Sequence, residues 1–171
     1  MNSNVSDHTE QSTLDRSIYQ QLGRIPCGTY VLTAQHEDRR MGMLTSWIQQ
    51  VCFEPPMLCV AIAKGRPIMP LISESRRFAL CQLSTEDKII RRKFSSPGDL
   101  KEDPFLGYDL TPGVTSTLPI LSASLGYMEC EVACHMDVEG DHDIFIARVL
   151  AAGVLNEGQP DVRVRENGDV Y

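Results

Sequence analysis

The chain has 171 residues, a length at which one domain with one core is the ordinary outcome. Apolar residues make up 42% and charged residues 23%, a globular composition that excludes wholesale disorder, collagen and coiled coil. With 16 Lys and Arg against 23 Asp and Glu the net charge is −7, which argues against nonspecific binding to nucleic acid or to an anionic membrane surface. The longest uncharged apolar stretch lies around Met57 to Ala63, far short of the ~20 residues that span a bilayer. The polar, acidic start has no secretory pattern, so a cytoplasmic protein is expected. Cys27, Cys52, Cys59, Cys81, Cys130 and Cys134 then read as reduced thiols. Cys130 and Cys134 have no second cysteine pair at metal spacing, so no metal site is expected.

Residues 1–11 read as a disordered polar tail ahead of a single domain over 12–171. Ser12 or Thr13 caps a short helix whose Leu14, Ile18 and Leu22 share a face and which Gly23 ends. Tyr30 to Ala34 is a strand, Gln35 to Arg40 a charged turn, and Gly42 to Val51 a second strand. After the break at Pro55 and Pro56, Met57 to Ala63 reads as a strand buried on both faces. Pro67 opens a helix to about Ser75 that buries Ile68, Leu71 and Ile72. Phe78 to Leu83 is a strand, and Ser84 with Asp87 is a capping-box pattern for a helix through Ile89 and Ile90 to about Phe94. Residues 95–119, with four prolines, form a long loop.

Period-two alternation is clearest over Met128, Cys130, Val132, Cys134, Met136 and Val138, a half-buried antiparallel strand with both cysteines toward the core. Gly140 and Asp141 turn the chain, and Asp143 to Leu155 returns. Strands with short helices between them predict a mainly β, α+β fold: an antiparallel Greek-key barrel with helices at its ends.

Three features carry possible chemistry. Gly42 lets backbone approach a ligand, and Thr45 and Ser46 offer hydroxyls close in sequence to Lys64 and Arg66, a combination suited to a phosphate. The bland alternative is a solvated basic turn. His142 sits in a tight turn between Asp141 and Asp143, two carboxylates that favour the protonated ring, though a surface role is the commoner one for such a residue. Lys88, Arg91, Arg92 and Lys93 read as a solvated helix face, and Trp47, the sole tryptophan, as a core residue.

Seven segments in order resemble the flavin reductase-like domains with the FMN-binding split-barrel fold, and are similar to the domain at the C-terminal end of cyanobacterial diflavin flavoproteins. They are residues 23–28 (GRIPCG), 42–50 (GMLTSWIQQ), 53–56 (FEPP), 60–64 (VAIAK), 78–83 (FALCQL), 125–132 (LGYMECEV) and 140–142 (GDH). The resemblance implies a homodimer with FMN near the subunit interface, FAD being the other flavin to consider. It places Leu44, Thr45, Ser46 and Trp47 against the flavin ring and ribityl chain. It also places Ala61, Ile62, Ala63, Lys64 and Arg66 as the source of backbone contacts and phosphate ligands, and His142 near the ligand. Cys81 stands where the family usually has an asparagine, so a polar contact to cofactor or interface there would lose donors.

The activity this implies is hydride transfer from NAD(P)H to the flavin, with electrons passed on to an oxygenase or electron-transfer partner. The alternative is an FMN-bearing carrier that takes electrons from a protein. No Gly-x-Gly-x-x-Gly fingerprint is present, so the nicotinamide would bind without a Rossmann site.

Overall fold

β-Branched and aromatic runs separated by short polar turns build eleven strands among the described residues of the computed structural model, which are 16–96, 98 and 102–165. These residues fall into two compact units, 16–27 with 162–165, and 28–161. In the smaller unit residues 16–23 are helical (α1), and the Arg165 amide donates to the Gly23 carbonyl at 2.7 Å. Ile18 and Leu22 on α1 are 48% and 47% exposed, so the apolar face expected there is not buried. The proposed tail and the Ser12, Thr13 and Leu14 positions lie outside the described residues. Two-residue strands β1 (Cys27–Gly28) and β11 (Val162–Arg163) open and close the chain's series of strands.

The larger unit runs β2 (Tyr30–His36), β3 (Arg39–Thr45), β4 (Ile48–Cys52), β5 (Met57–Ala63), α2 (Ile68–Ser75), β6 (Arg77–Gln82) and α3 (Lys88–Ser95). It continues with β7 (Leu110–Pro112), β8 (Pro119–Leu121), β9 (Gly126–Asp137) and β10 (His142–Val154). Seven strands form one antiparallel sheet in the order β3-β2-β6-β9-β10-β5-β4. The first and last strands of that order run the same way and are joined by only Ser46 and Trp47. The sheet must therefore curl and shear until its edges meet at those two residues. No ladder pairs β3 with β4 among the described residues, so the barrel is split rather than closed.

Each face of the curled sheet buries its own apolar layer. Leu32, Leu80, Val60, Ile62 and Phe145 face α2, which inserts Ile68, Leu71 and Ile72 as its spacing dictates. Val31, Cys81 and Tyr127 face the opposite way, under Ile90 and Phe94 of α3 and under Phe105, Ile120 and Leu121. The Asp87 carboxylate accepts from the Ser84 amide at 2.7 Å, so the capping-box residues do meet at the start of α3. Arg91 is not simply solvated: it pairs at 3.0 Å with Asp161, which is buried.

Other expectations are corrected. The stretch Gly42 to Val51 is two strands, broken where the sheet edges meet. β5 alternates between buried and half-buried residues, because one of its faces lies outside the core. A ring carbon of Phe94 would lie 2.6 Å from a Cβ built on Gly42, so the body that needs this glycine is Phe94. Cys134 is exposed and Met136 is 37% exposed. The reason is a bulge: Cys134 pairs with Ile146 and Val132 with Ala147, which leaves Ala133 over and reverses the facing of everything after it.

One polar group organises the loop before β8. Glu129 is buried in β9, and its carboxylate accepts from the Val114 and Thr115 amides and from the Thr115 and Ser116 hydroxyls. Burial pushes its pKa up, but these hydrogen bonds together outweigh that and hold it below the ordinary 4.5. A depressed carboxylate stabilises the fold above its unfolded pKa and loses that contribution as pH falls through the folded value. Glu129→Gln is expected to cost about 1.5–3 kcal/mol at neutral pH and to flatten the acid limb of the stability profile, read by urea melts from pH 7 downward.

Candidate functional site

The corner where the sheet edges meet collects most of the residues singled out by sequence. Thr45 and Ser46 are buried there. The Ala61 amide donates to the Trp47 carbonyl at 3.0 Å, tying the corner to β5. His142 opens β10 directly opposite Ala63, the end of β5. Its ring lies against Trp47, centroids 4.6 Å apart and tilted by 39°. Trp47 is thus half-buried beside a titratable ring, not a core residue. His142 Nδ1 meets Asp141 Oδ1 at 2.7 Å, and this contact holds the Asp141 carboxyl below the ordinary carboxylate range.

Asp143 does not flank the His142 ring as its sequence position suggests, because neighbouring residues on a strand point to opposite faces. It is buried on the inner side, with Oδ2 3.0 Å from His135 Nε2. The His135 ring stacks on Phe145, centroids 4.3 Å apart. Lys64 reaches the same face at its exposed end: its ammonium donates to Asp137 Oδ1 at 2.6 Å and to the Val138 carbonyl at 2.9 Å. The Asp137 hydrogen bond is the main cause that raises the Lys64 pKa, and it lowers that of Asp137.

Arg66 follows Gly65, whose φ of +78° makes the turn out of β5. Its guanidinium has no ion pair among the described residues. Ala61 and Ala63 pair with Ile144 and His142 and so share their outward face, while Ile62 is buried in the core and can offer a ligand only its backbone. Leu44 packs on the second apolar layer. Cys81 is fully buried in that layer, its sulfur accepting from the Leu121 amide at 3.4 Å. Burial pushes its thiol up to about 11, so it is an inert neutral group that presents no surface to a ligand.

Sequence reasoning missed His135, Asp137 and the outward row of Ile144 and Ile146. The bulge at Ala133 decides the facing of His135 and Asp137 and leaves no local signal. Two clefts lie elsewhere. One of about 750 Å³ is lined by Tyr30, Gln82, Tyr127 and Gly153. The other, of about 600 Å³, is lined by Gly42, Arg92, Phe94 and Tyr108. Neither contains Trp47, Lys64 or His142. Among the described residues no group of three or more His, Cys, Asp or Glu is placed to hold a metal, and no helix is long and apolar enough to cross a membrane.

This sheet order, with α2 and α3 on opposite faces, is the split barrel of flavin reductases. The chain superposes on the NADH:FAD oxidoreductase SgcE6 of Streptomyces globisporus C-1027 with a TM-score of 0.79 at 21% identity, over 87% of this chain and 88% of that one. It superposes on the styrene monooxygenase flavin reductase SMOB of Pseudomonas putida S12 with a TM-score of 0.71 at 28% identity, over 86% and 91%. The model of the flavin reductase like domain matches residues 22–167, and the chain belongs to that family. Diflavin flavoprotein A 1 of Synechocystis sp. is 35% identical over 161 residues, which are 93% of this chain and 28% of that protein. The chain thus spans about a quarter of the length of the curated relatives it matches.

Proposed function

We propose that the chain binds FMN at the Trp47–His142 corner and is the site of hydride transfer from NAD(P)H. What supports this reading, in a flavin reductase-like chain, is an aromatic pair beside the small side chains of Ala61 and Ala63, with Arg66, which has no ion pair among the described residues, just past the end of the same strand. Those residues fit the group: a flat ring system needs a flat floor beside an aromatic wall, and a phosphate tail needs a cation that is free. Arg66 would hold the phosphate, which FMN and FAD share. Bound flavin supplies the two-electron redox chemistry.

The protein's part is position and charge. His142 Nδ1 is occupied by Asp141, so Nε2 is the ring nitrogen left to meet a ligand. A proton held at Nε2 presents a donor where negative charge develops during reduction. A second copy of the chain completes the site. The outward row Cys134, Ile146 and Cys59, with Met136, Ile144 and Ala61 beside it, is apolar and leads directly to His142. Pairing through that face makes a homodimer and shields the corner from water. An oxygenase or electron-transfer protein receives the electrons.

Anaerobic stopped-flow mixing of the FMN-loaded protein with NADH or NADPH tests the reading. His142→Ala is expected to slow flavin reduction on the order of 10- to 100-fold, with FMN affinity nearly unchanged. Rates equal to the parent's remove His142 from the reaction. Flavin that is reduced by dithionite but by neither nucleotide makes the protein a carrier instead of a reductase.

A further inference from the structure

Lys64 lies beside Arg66, yet its ammonium is already surrounded. An ammonium has three N–H donors. Around this one stand Asp137 Oδ1 at 2.6 Å, the Val138 carbonyl at 2.9 Å and Asp143 Oδ1 at 3.7 Å. The Lys64 amide also donates to the Asp141 carbonyl at 2.8 Å. One residue therefore grips both arms of the β9–β10 turn: residues 137 and 138 on the way in, 141 and 143 on the way out. The tip between them holds Gly140 at φ +148° and makes no ladder contact of its own.

The outgoing arm carries His142. Its ring reaches Trp47 only if the turn keeps its place against the end of β5. Among the described residues Asp143 Oδ1 is buried without a hydrogen-bond partner; the Lys64 ammonium faces it at 3.7 Å, while His135 meets Oδ2 at 3.0 Å. Without the ammonium, that oxygen would lose the charge facing it and the Asp143 carboxylate would keep His135 alone, at the residue next to His142. We propose that Lys64 is a positioning residue, a clamp that fixes the β9–β10 turn and holds the His142 ring against Trp47, and that the ligand's phosphate is left to Arg66. The mutual pKa shifts of Lys64 and Asp137 agree with an engaged pair. The kinetic consequence rests on the function proposed above; the geometric claim does not.

Trp47 is the only tryptophan, so intrinsic emission reports the clamp without any flavin. A histidine ring in contact quenches indole, so His142→Gln should raise the emission of the flavin-free protein at one fixed pH, and that rise is the quench amplitude. The groups facing the turn are Asp141 beside the ring, Lys64, Asp137 and Asp143 behind it, and His135 opposite Asp143. His135→Gln, whose ring stacks on Phe145 and not on Trp47, should leave the emission unchanged. Lys64→Met is expected to reduce the quench amplitude by about half or more, since a lost charged hydrogen bond moves a local equilibrium on the order of tenfold, and Lys64→Arg to restore part of it.

In flavin titrations Lys64→Met should change FMN and riboflavin affinity alike. Should Lys64→Met fail to fold, as judged by circular dichroism, Asp137→Asn removes one exposed arm of the same clamp and carries the same expectation. A full quench amplitude in the folded variant overturns the proposal, and so does a selective loss of FMN over riboflavin. If no variant or parent binds flavin, the functional reading fails while the emission comparison still decides the clamp.

Discussion

Arg66→Ala is expected to weaken FMN binding about 10- to 100-fold while leaving riboflavin almost unaffected, because a charged hydrogen bond to phosphate is worth roughly 1.5–3 kcal/mol. The two ligands differ only in that phosphate, so their ratio isolates the contact from any general damage to the corner. Arg66 is the residue to change because it follows β5 directly and has no ion pair among the described residues, whereas Lys64 is held by Asp137. Isothermal titration of parent and variant with both ligands, at one fixed salt concentration, makes the comparison, since exposed charges are screened. Equal losses for FMN and riboflavin would place the phosphate elsewhere.

Ile146→Asp is expected to convert the proposed dimer into a monomer and to abolish tight flavin binding with it. Ile146 sits between Cys134 and Cys59 on the outward side of β9, β10 and β5, in the middle of the apolar face that a second copy would cover. In a two-fold interface each substitution acts twice, and a carboxylate buried without a partner costs several kcal/mol. In the single chain the same position is only half-buried, so the fold should survive, as circular dichroism will show. Light scattering reads the mass. A parent that is monomeric with FMN bound, or a variant that stays dimeric, contradicts the assignment of this face.

Much of the fold was legible because it follows from local rules. α2 occupies the span that Pro67 and the spacing of Ile68, Leu71 and Ile72 indicate, and β5 covers Met57–Ala63 as its apolar run suggests. The corner was partly legible too: Trp47, Ala61, Ala63 and His142 do come together. Their types could be read, but not the partners that give each its role. Lys64 and Arg66 look equivalent in a list of cations, and only the β9–β10 turn distinguishes them by surrounding one.

The sequence by itself determined most of the longer elements, the buried face of α2 and the family, since periodicity, caps and turn residues act over a few positions and survive without knowledge of neighbours. Tertiary structure decided everything that depends on register. One unpaired residue, Ala133, reverses which side of β9 meets the core, turning Cys134 and Met136 outward and laying the His135 ring on Phe145. Two residues, Ser46 and Trp47, join the opposite edges of a seven-stranded sheet and so place an indole against a histidine far along the chain. Both depend on which strand lies beside which, a choice made by the burial of whole faces and not by any short stretch of sequence.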